Sequence, residues 1–255
     1  MKLYNMFNIT LDEGELLSFV GAGGKTTTIF KLAKELKALN KKVLVTTSTA
    51  IYYPKKRDYD KIILNDCSFS LNMLAGISYG TITVIGKNIS RENKLVGLDR
   101  ESIDRIYENQ IFDYILVEAD GSKRRPIKAP ASHEPVIPKN TDKIIGVIGM
   151  DAINKKINEA NVHRPELFCK ITKSEMEEEI NLRTVIELIK DKEGLFKDSP
   201  MKSKRYVLLN KVDTEKRQVK AIELLNLLKK SSVNMDGIIA ADIKTEKCIY
   251  KWSDQ

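Results

Sequence analysis

Histidine and cysteine are scarce here, and that narrows the chemistry first. Two histidines and three cysteines, Cys67, Cys169 and Cys248, are spread over 255 residues. None of them shows paired metal-ligand spacing, so a zinc site built from His and Cys is not expected. The cysteines read as reduced structural thiols of a cytoplasmic protein. Long apolar runs are missing as well. Nothing approaches the roughly 20 residues of a membrane span, and MKLYNMFNITLDEGE at the N-terminus lacks the apolar core of a signal peptide. There is no internal repeat, and no basic stripe with interleaved aromatics, so neither a membrane nor a nucleic-acid partner is expected. The formal charge of +8 favours smaller anionic partners, nucleotides above all, although much of it lies on lysine-rich helix faces that water alone can solvate.

What is present is organised around LSFVGAGGKTTT, Leu17 to Thr28. The apolar residues from Leu16 to Val20 predict a buried strand, and Ile29, Leu32, Ala33, Leu36 and Leu39 recur at helical spacing. Between them lie Gly21, Ala22, Gly23, Gly24, Lys25, Thr26 and Thr27. Strand, glycine loop and helix in that order make a phosphate cradle, because glycine lets backbone N–H groups converge on an anion at a helix N-terminus. Lys25, expected at an exposed loop position, would reach the β- and γ-phosphates of ATP or GTP, and the Thr26 hydroxyl would ligate Mg²⁺. The motif departs from the usual G-x-x-x-x-G-K-[ST] spacing, since Phe19 stands where the first glycine belongs; a shorter G-x-x-G-K-T remains.

Further strands are predicted at Val43 to Thr49, Tyr59 to Asn65 and Thr81 to Gly86. The hydroxyls of Thr46 to Thr49 are expected to face the phosphate loop. A helix is expected within Ser68 to Gly80, loops or a hairpin over Lys87 to Leu98, and a helix capped by Asp99 and bearing Ile103, Ile106, Tyr107 and Ile111. DYILVEADG, Asp113 to Gly121, then reads as a strand ending in carboxylates, as a Walker B strand does. Either Glu118 or Asp120 can serve the Mg²⁺ shell or orient a water, and spacing does not choose between them. The following segment, Ser122 to Pro138, carries four prolines. Such a stretch cannot be a continuous helix, so Lys123, Arg124, Arg125 and Lys128 are expected on display, as candidates for binding a second anion. His133 and Glu134 are considered there as an acid/base pair.

After a strand at Lys143 to Met150 comes VHRPE (Val162 to Glu166), where His163 and Arg164 are candidates for approaching the site although no local signature ties them to it. T-x-x-E or S-x-x-E caps, from Thr172 or Ser174, predict one long helix with Ile180, Thr184, Val185, Leu188 and Ile189 on its apolar face, ended near Gly194. YVLLNKVD, Tyr206 to Asp213, is a strand ending in N-K-x-D, the guanine-reading motif of GTPases, which makes Asn210, Lys211 and Asp213 candidates for base recognition. A helix capped by Thr214, with Ile222, Leu225 and Leu228, and a last strand at Gly237 to Ala241 complete the reading. The fold expected is α/β, doubly wound and mainly parallel, P-loop NTPase-like. It is read as one domain over 1–255, elaborated around 122–138 and 162–194.

Taken together, VGAGGKTTT, VEADGSKRRPIKAP, EPVIP, VHRPE and LNKVD, in that order, resemble the selenium-dependent molybdenum hydroxylase accessory proteins, the YqeC-like P-loop NTPases. The resemblance implies Mg-dependent nucleotide binding in service of a molybdenum hydroxylase, acting on its pterin cofactor or on selenium delivery. Two other readings rest on single motifs. G-x-x-G-K-T-T-T with E-A-D also resembles the ATP-binding domain of Mur-type amide ligases, and N-K-x-D alone would suit a GTP-dependent switch.

Overall fold

A computed structural model describes residues 1–65, 71–74, 76–231 and 233–253. Nine strands form one sheet: β1 Glu15–Gly21, β2 Lys42–Thr47, β3 Lys61–Leu64, β4 Thr81–Gly86, β5 Tyr114–Glu118, β6 Lys143–Gly149, β7 Lys204–Asn210, β8 Gly237–Asp242 and β9 Lys247–Ser253. Across the sheet they run in the order β9-β8-β7-β6-β1-β5-β2-β4-β3. Every pairing is parallel except that of β9 with β8. β1, β5 and β6 are buried at every residue, as central parallel strands covered on both faces must be.

Alternate side chains of these strands serve two different cores. Leu17 and Phe19 of β1 pack with Ile29, Leu32 and Leu36 of helix α2 (Lys25–Ala38), and with Leu3 of the short N-terminal helix α1 (Leu3–Met6). Leu16 faces the other way, onto Ile103 and Ile106 of α3 (Arg100–Glu108). Val20 joins a cluster holding Phe168 of α4 (Pro165–Thr172), Val185 and Leu188 of α5 (Leu182–Lys190) and Leu224 and Leu225 of α6 (Glu215–Lys230). Helices therefore cover both faces, which is the doubly wound arrangement. The chain leaves β1 toward β2 on one side, and β6, β7 and β8 extend the sheet on the other. The crevice where these directions part lies at the carboxyl ends of β1 and β6, the position where open α/β sheets bind ligands.

Several sequence expectations change. The long helix expected from Thr172 or Ser174 is two helices. Thr172 ends α4, and α5 starts at a capping box in which Asn181 accepts from the Thr184 N–H while the Thr184 hydroxyl accepts from the Asn181 N–H. Ile111 lies beyond the end of α3, although Asp99 caps that helix as expected, accepting from Ser102 N at 2.8 Å. Thr214 caps α6, but Ile222 faces outward and the buried stripe is Ala221, Leu224, Leu225 and Leu228. The antiparallel edge strand β9 and helix α1 carry no signal strong enough to predict. Lys94–Val96 pairs antiparallel with Ala50–Tyr52, giving the hairpin-like region a partner. Of the helix expected within 68–80, a single 3₁₀ turn at Leu71–Leu74 is seen; 68–70 and residue 75 lie outside the described residues, as does Cys67. No helix among the described residues is long and apolar enough to cross a membrane.

Candidate functional site

The glycine loop follows from backbone geometry. Gly21, Gly23 and Gly24 have φ of 87°, 90° and 136°, values that side chains disfavour. At Gly23 space is as decisive, since a Cβ would stand 2.3 Å from Gly149 N and 2.7 Å from Pro126 O. The loop is thus clamped between β6 and the Ser122–Pro138 segment. The first N–H groups of α2 have no intrahelical carbonyl to bond, so they are left to face an outside acceptor.

Not every residue of the loop is free for a ligand. Gly21 N donates to Asp120 Oδ2 at 3.0 Å, and Ala22 N donates to Val147 O at 2.8 Å. Lys25 is buried, not exposed as its loop position promised. Its ammonium donates to Gly21 O at 2.5 Å and lies 3.0 Å from Asp120 Oδ1 and 3.7 Å from Glu118 Oε1. Burial works against that charge, but the Asp120 and Glu118 carboxylates outweigh it and hold the lysine pKa above its ordinary value. Thr26 donates its hydroxyl to Glu118 Oε2 at 2.6 Å. Burial pushes the Glu118 carboxyl up, and Lys25 and Thr26 offset only part of that rise.

The structure distinguishes the two acids that spacing left equivalent. Glu118 lines the cleft above the loop, whereas Asp120 does not. Asp120 sits at the centre of a buried clasp, joining Gly21 N, Lys25 and Lys128, whose ammonium is 3.0 Å away. Lys128 corrects another expectation: it is buried instead of displayed. It donates to Gly121 O at 2.7 Å and to Glu134 Oε2 at 2.6 Å. Pairing of Ile127–Lys128 with Val162–His163 in a two-residue parallel ribbon draws it inward.

Glu134 in turn binds Arg164 Nη1 at 2.7 Å. Burial disfavours its charge, yet Arg164 and Lys128 hold its pKa down at about 2. His133 is exposed and Glu134 is buried between cations, so the two form no acid/base pair. Arg164 also donates to Ala129 O, from a left-handed backbone (φ 66°) that turns the ribbon into α4, with Pro165 opening the helix. His163 beside it is half-buried; desolvation, then Arg164 and Lys128, lower its pKa to about 4, so it is neutral near pH 7.

These groups surround a cleft of about 970 Å³. Gly23 to Thr27 form one end, with Glu118 and the Lys123–Arg125 turn beside them. His163 and Arg164 form another wall, and Tyr52 and Lys94, which no sequence signal singled out, close a third. Of the hydroxyls expected to face the loop, only Thr49 lines this cleft. Thr46 and Thr47 donate to Ile85 O and Glu118 O, and Ser48 donates to Val136 O, holding strand ends together.

The N-K-x-D residues divide. Asn210 is buried and tied to the loop: its Nδ2 donates to Gly23 O at 2.8 Å, and its Oδ1 accepts from Ile243 N at 3.1 Å. Lys211 lines the cleft and pairs with Asp151 at 2.7 Å. Asp213 is half-exposed, does not line the cleft and pairs with Arg217 at 2.5 Å. Among the described residues no cluster of three or more His, Cys, Asp or Glu side chains is placed to hold a metal. Any cation near Thr26 and Glu118 would therefore draw most of its ligands from phosphate oxygens and water, which is how Mg²⁺ is commonly held.

Sheet order, glycine loop and cleft together define a doubly wound α/β protein of P-loop-like layout. Comparison with known proteins supplies the narrower class. The family described as "YqeC protein" matches residues 17–166, a span holding all the cleft-lining residues except Leu167 and Lys211. "Uncharacterized protein YqeC" of Escherichia coli (strain K12) is 31% identical over 238 residues, covering 92% of this chain and 90% of the relative. The chain belongs to the YqeC family.

Proposed function

We propose that the chain is a Mg-dependent nucleoside triphosphatase that binds ATP or GTP in this cleft. The observation that carries the reading is the contact between Thr26 Oγ1 and Glu118 Oε2, 2.6 Å long, at the start of the helix that follows the glycine loop. A hydroxyl and a carboxylate in contact beside free helix N–H groups form the protein's half of a magnesium–phosphate site. The N–H groups from Gly23 to Thr26 would take the terminal phosphates, and Lys25, kept charged by its carboxylate neighbours, would balance charge that develops there. Bound Mg²⁺ would supply charge neutralisation of the phosphate oxygens. Burial raises the Glu118 pKa, and the nearby cation would oppose that rise and favour the carboxylate, able to orient a water. Asp120 has a different part, fixing the loop through Gly21 and Lys25.

Guanine preference would rest on Asp213, while Asn210, through its tie to Gly23, couples the N-K-x-D strand end to the phosphate loop. On that reading Asp213 would exchange Arg217 for the base. The resemblance adds the purpose: turnover serves the maturation of a selenium-dependent molybdenum hydroxylase. The test of the triphosphatase reading is phosphate release by purified protein as Mg²⁺ is titrated. Thr26→Ala is expected to raise the Mg²⁺ requirement or abolish release while the protein melts normally. Identical Mg²⁺ curves for the two proteins would remove the reading. Lys25→Ala is a poorer probe than its position in the motif promises, because it leaves Asp120 and Glu118 buried without their cation.

A further inference from the structure

The cleft holds more cationic chemistry than a phosphate loop needs. Lys25, Lys128 and Arg164 on one side, and Glu118, Asp120 and Glu134 on the other, form a continuous set of ion pairs in which the charges balance. That set leaves out the turn that follows β5. Lys123, Arg124 and Arg125 all line the cleft, and among the described residues no carboxylate lies within ion-pair distance of any of them. Arg124 instead lays its guanidinium over the half-exposed ring of Tyr52, 4.1 Å from the centroid, with Lys94 at 5.9 Å from the same ring. The stacking fixes the plane of the guanidinium and leaves its N–H edge for an acceptor.

Arg164 shows a similar division. Both of its bonds, to Glu134 and to Ala129 O, use Nη1. Its Nε and Nη2 donors have no partner among the described residues, and the residue lines the cleft. Glu134, held ionised by Lys128, anchors the guanidinium while its outer edge stays open. The acids on this side, Glu159 and Glu166, are exposed at the rim. His163, neutral near pH 7, adds hydrogen-bonding capacity to the same wall without adding charge.

We propose that the cleft takes, beside the nucleotide, a second small substrate carrying a phosphate monoester, docked on Arg164 and Arg124. A monoester dianion suits a surplus of unpaired cations better than a carboxylate monoanion, and its three outer oxygens can be met by two guanidinium edges at once. The proposal depends on the triphosphatase reading only for the identity of the first occupant.

Glycerol phosphate serves as probe, titrated into full-length protein saturated with Mg²⁺ and a non-hydrolysable ATP or GTP analogue, with succinate as the carboxylate comparison. One equivalent of glycerol phosphate is expected to bind, and to bind more tightly than succinate. Arg164→Gln is expected to weaken it by about 10-fold or more, as loss of a charge-assisted contact does, with analogue affinity unchanged. Arg124→Ala, at an exposed turn, provides a second variant with little risk to folding and the same expected direction. The proposal is overturned if the loaded protein binds no glycerol phosphate, if succinate binds as well, or if neither variant weakens binding. It is overturned too if both variants lose the analogue along with the probe, since the cations would then belong to the nucleotide. If the analogue fails to bind while glycerol phosphate binds through Arg164, the triphosphatase reading falls and this site stands.

Discussion

Glu118 ends β5 and Asp120 follows it two residues on, yet their surroundings assign them opposite work. Glu118 meets the Thr26 hydroxyl at the cleft surface, while Asp120 is enclosed by Gly21 N, Lys25 and Lys128. Glu118→Gln is expected to leave the melting temperature nearly unchanged and to raise the Mg²⁺ needed for nucleotide turnover. Asp120→Asn leaves two buried ammonium groups short of a carboxylate and is expected to cost about 3–5 kcal/mol of stability. Thermal melts of the two variants, set beside their Mg²⁺ titrations, check this division; an Asp120→Asn protein as stable as the parent would contradict it. Gly23→Ala would put a Cβ against the backbone at Gly149 and Pro126 in a left-handed conformation. It should lose about 1–3 kcal/mol or more and all phosphate binding, as seen by melting and by nucleotide titration.

At the scale of elements, the ribbon of Ile127–Lys128 with Val162–His163 binds the proline-rich segment to the start of α4. Its His163 has a folded pKa of about 4 against an unfolded 6.5. Between those values the unfolded chain binds a proton that the folded chain refuses, so stability falls as pH drops from 6.5 and the loss levels off below about 4. Arg164, Lys128 and Lys123 oppose protonation and Glu134 favours it, with desolvation dominant. Melting temperatures of His163→Asn should vary less with pH across that window than those of the parent protein, and equal slopes would contradict the assignment. Asn210 joins two elements in the same sense, linking the end of β7 to the glycine loop. Asn210→Ala should cost about 1–3 kcal/mol and weaken both nucleotides alike, whereas Asp213→Asn should weaken GTP alone if the N-K-x-D reading holds; competition between ATP and GTP separates the two.

At the scale of the whole molecule, elements with strong local periodicity are legible in the sequence. β1, β5, β6, β7 and β8, the start of α2 and the caps at Asp99 and Thr214 all followed from apolar runs and short-range hydrogen-bonding chemistry. Long-range pairing decided the rest. Nothing near Lys128 announces that a strand at Val162 will pull it into the interior, and nothing near Tyr52 announces Arg124. The division of Glu118 from Asp120 likewise depends on Lys128 and Glu134 arriving from a later segment. The resulting molecule places its glycine loop where the chain direction switches across the sheet, with a cationic wall beside it. Cells lacking this protein should yield a molybdenum hydroxylase deficient in activity and in its molybdenum or selenium content. Full loading in its absence would remove the proposed maturation role and leave the triphosphatase reading to stand alone. Equilibrium titration of the purified protein with ATP and with GTP, each with Mg²⁺ and with Mg²⁺ chelated, tests the central claim most directly. One nucleotide is expected to bind at one site per chain, with affinity that falls when Mg²⁺ is removed. Absence of binding by both nucleotides with Mg²⁺ present would contradict it.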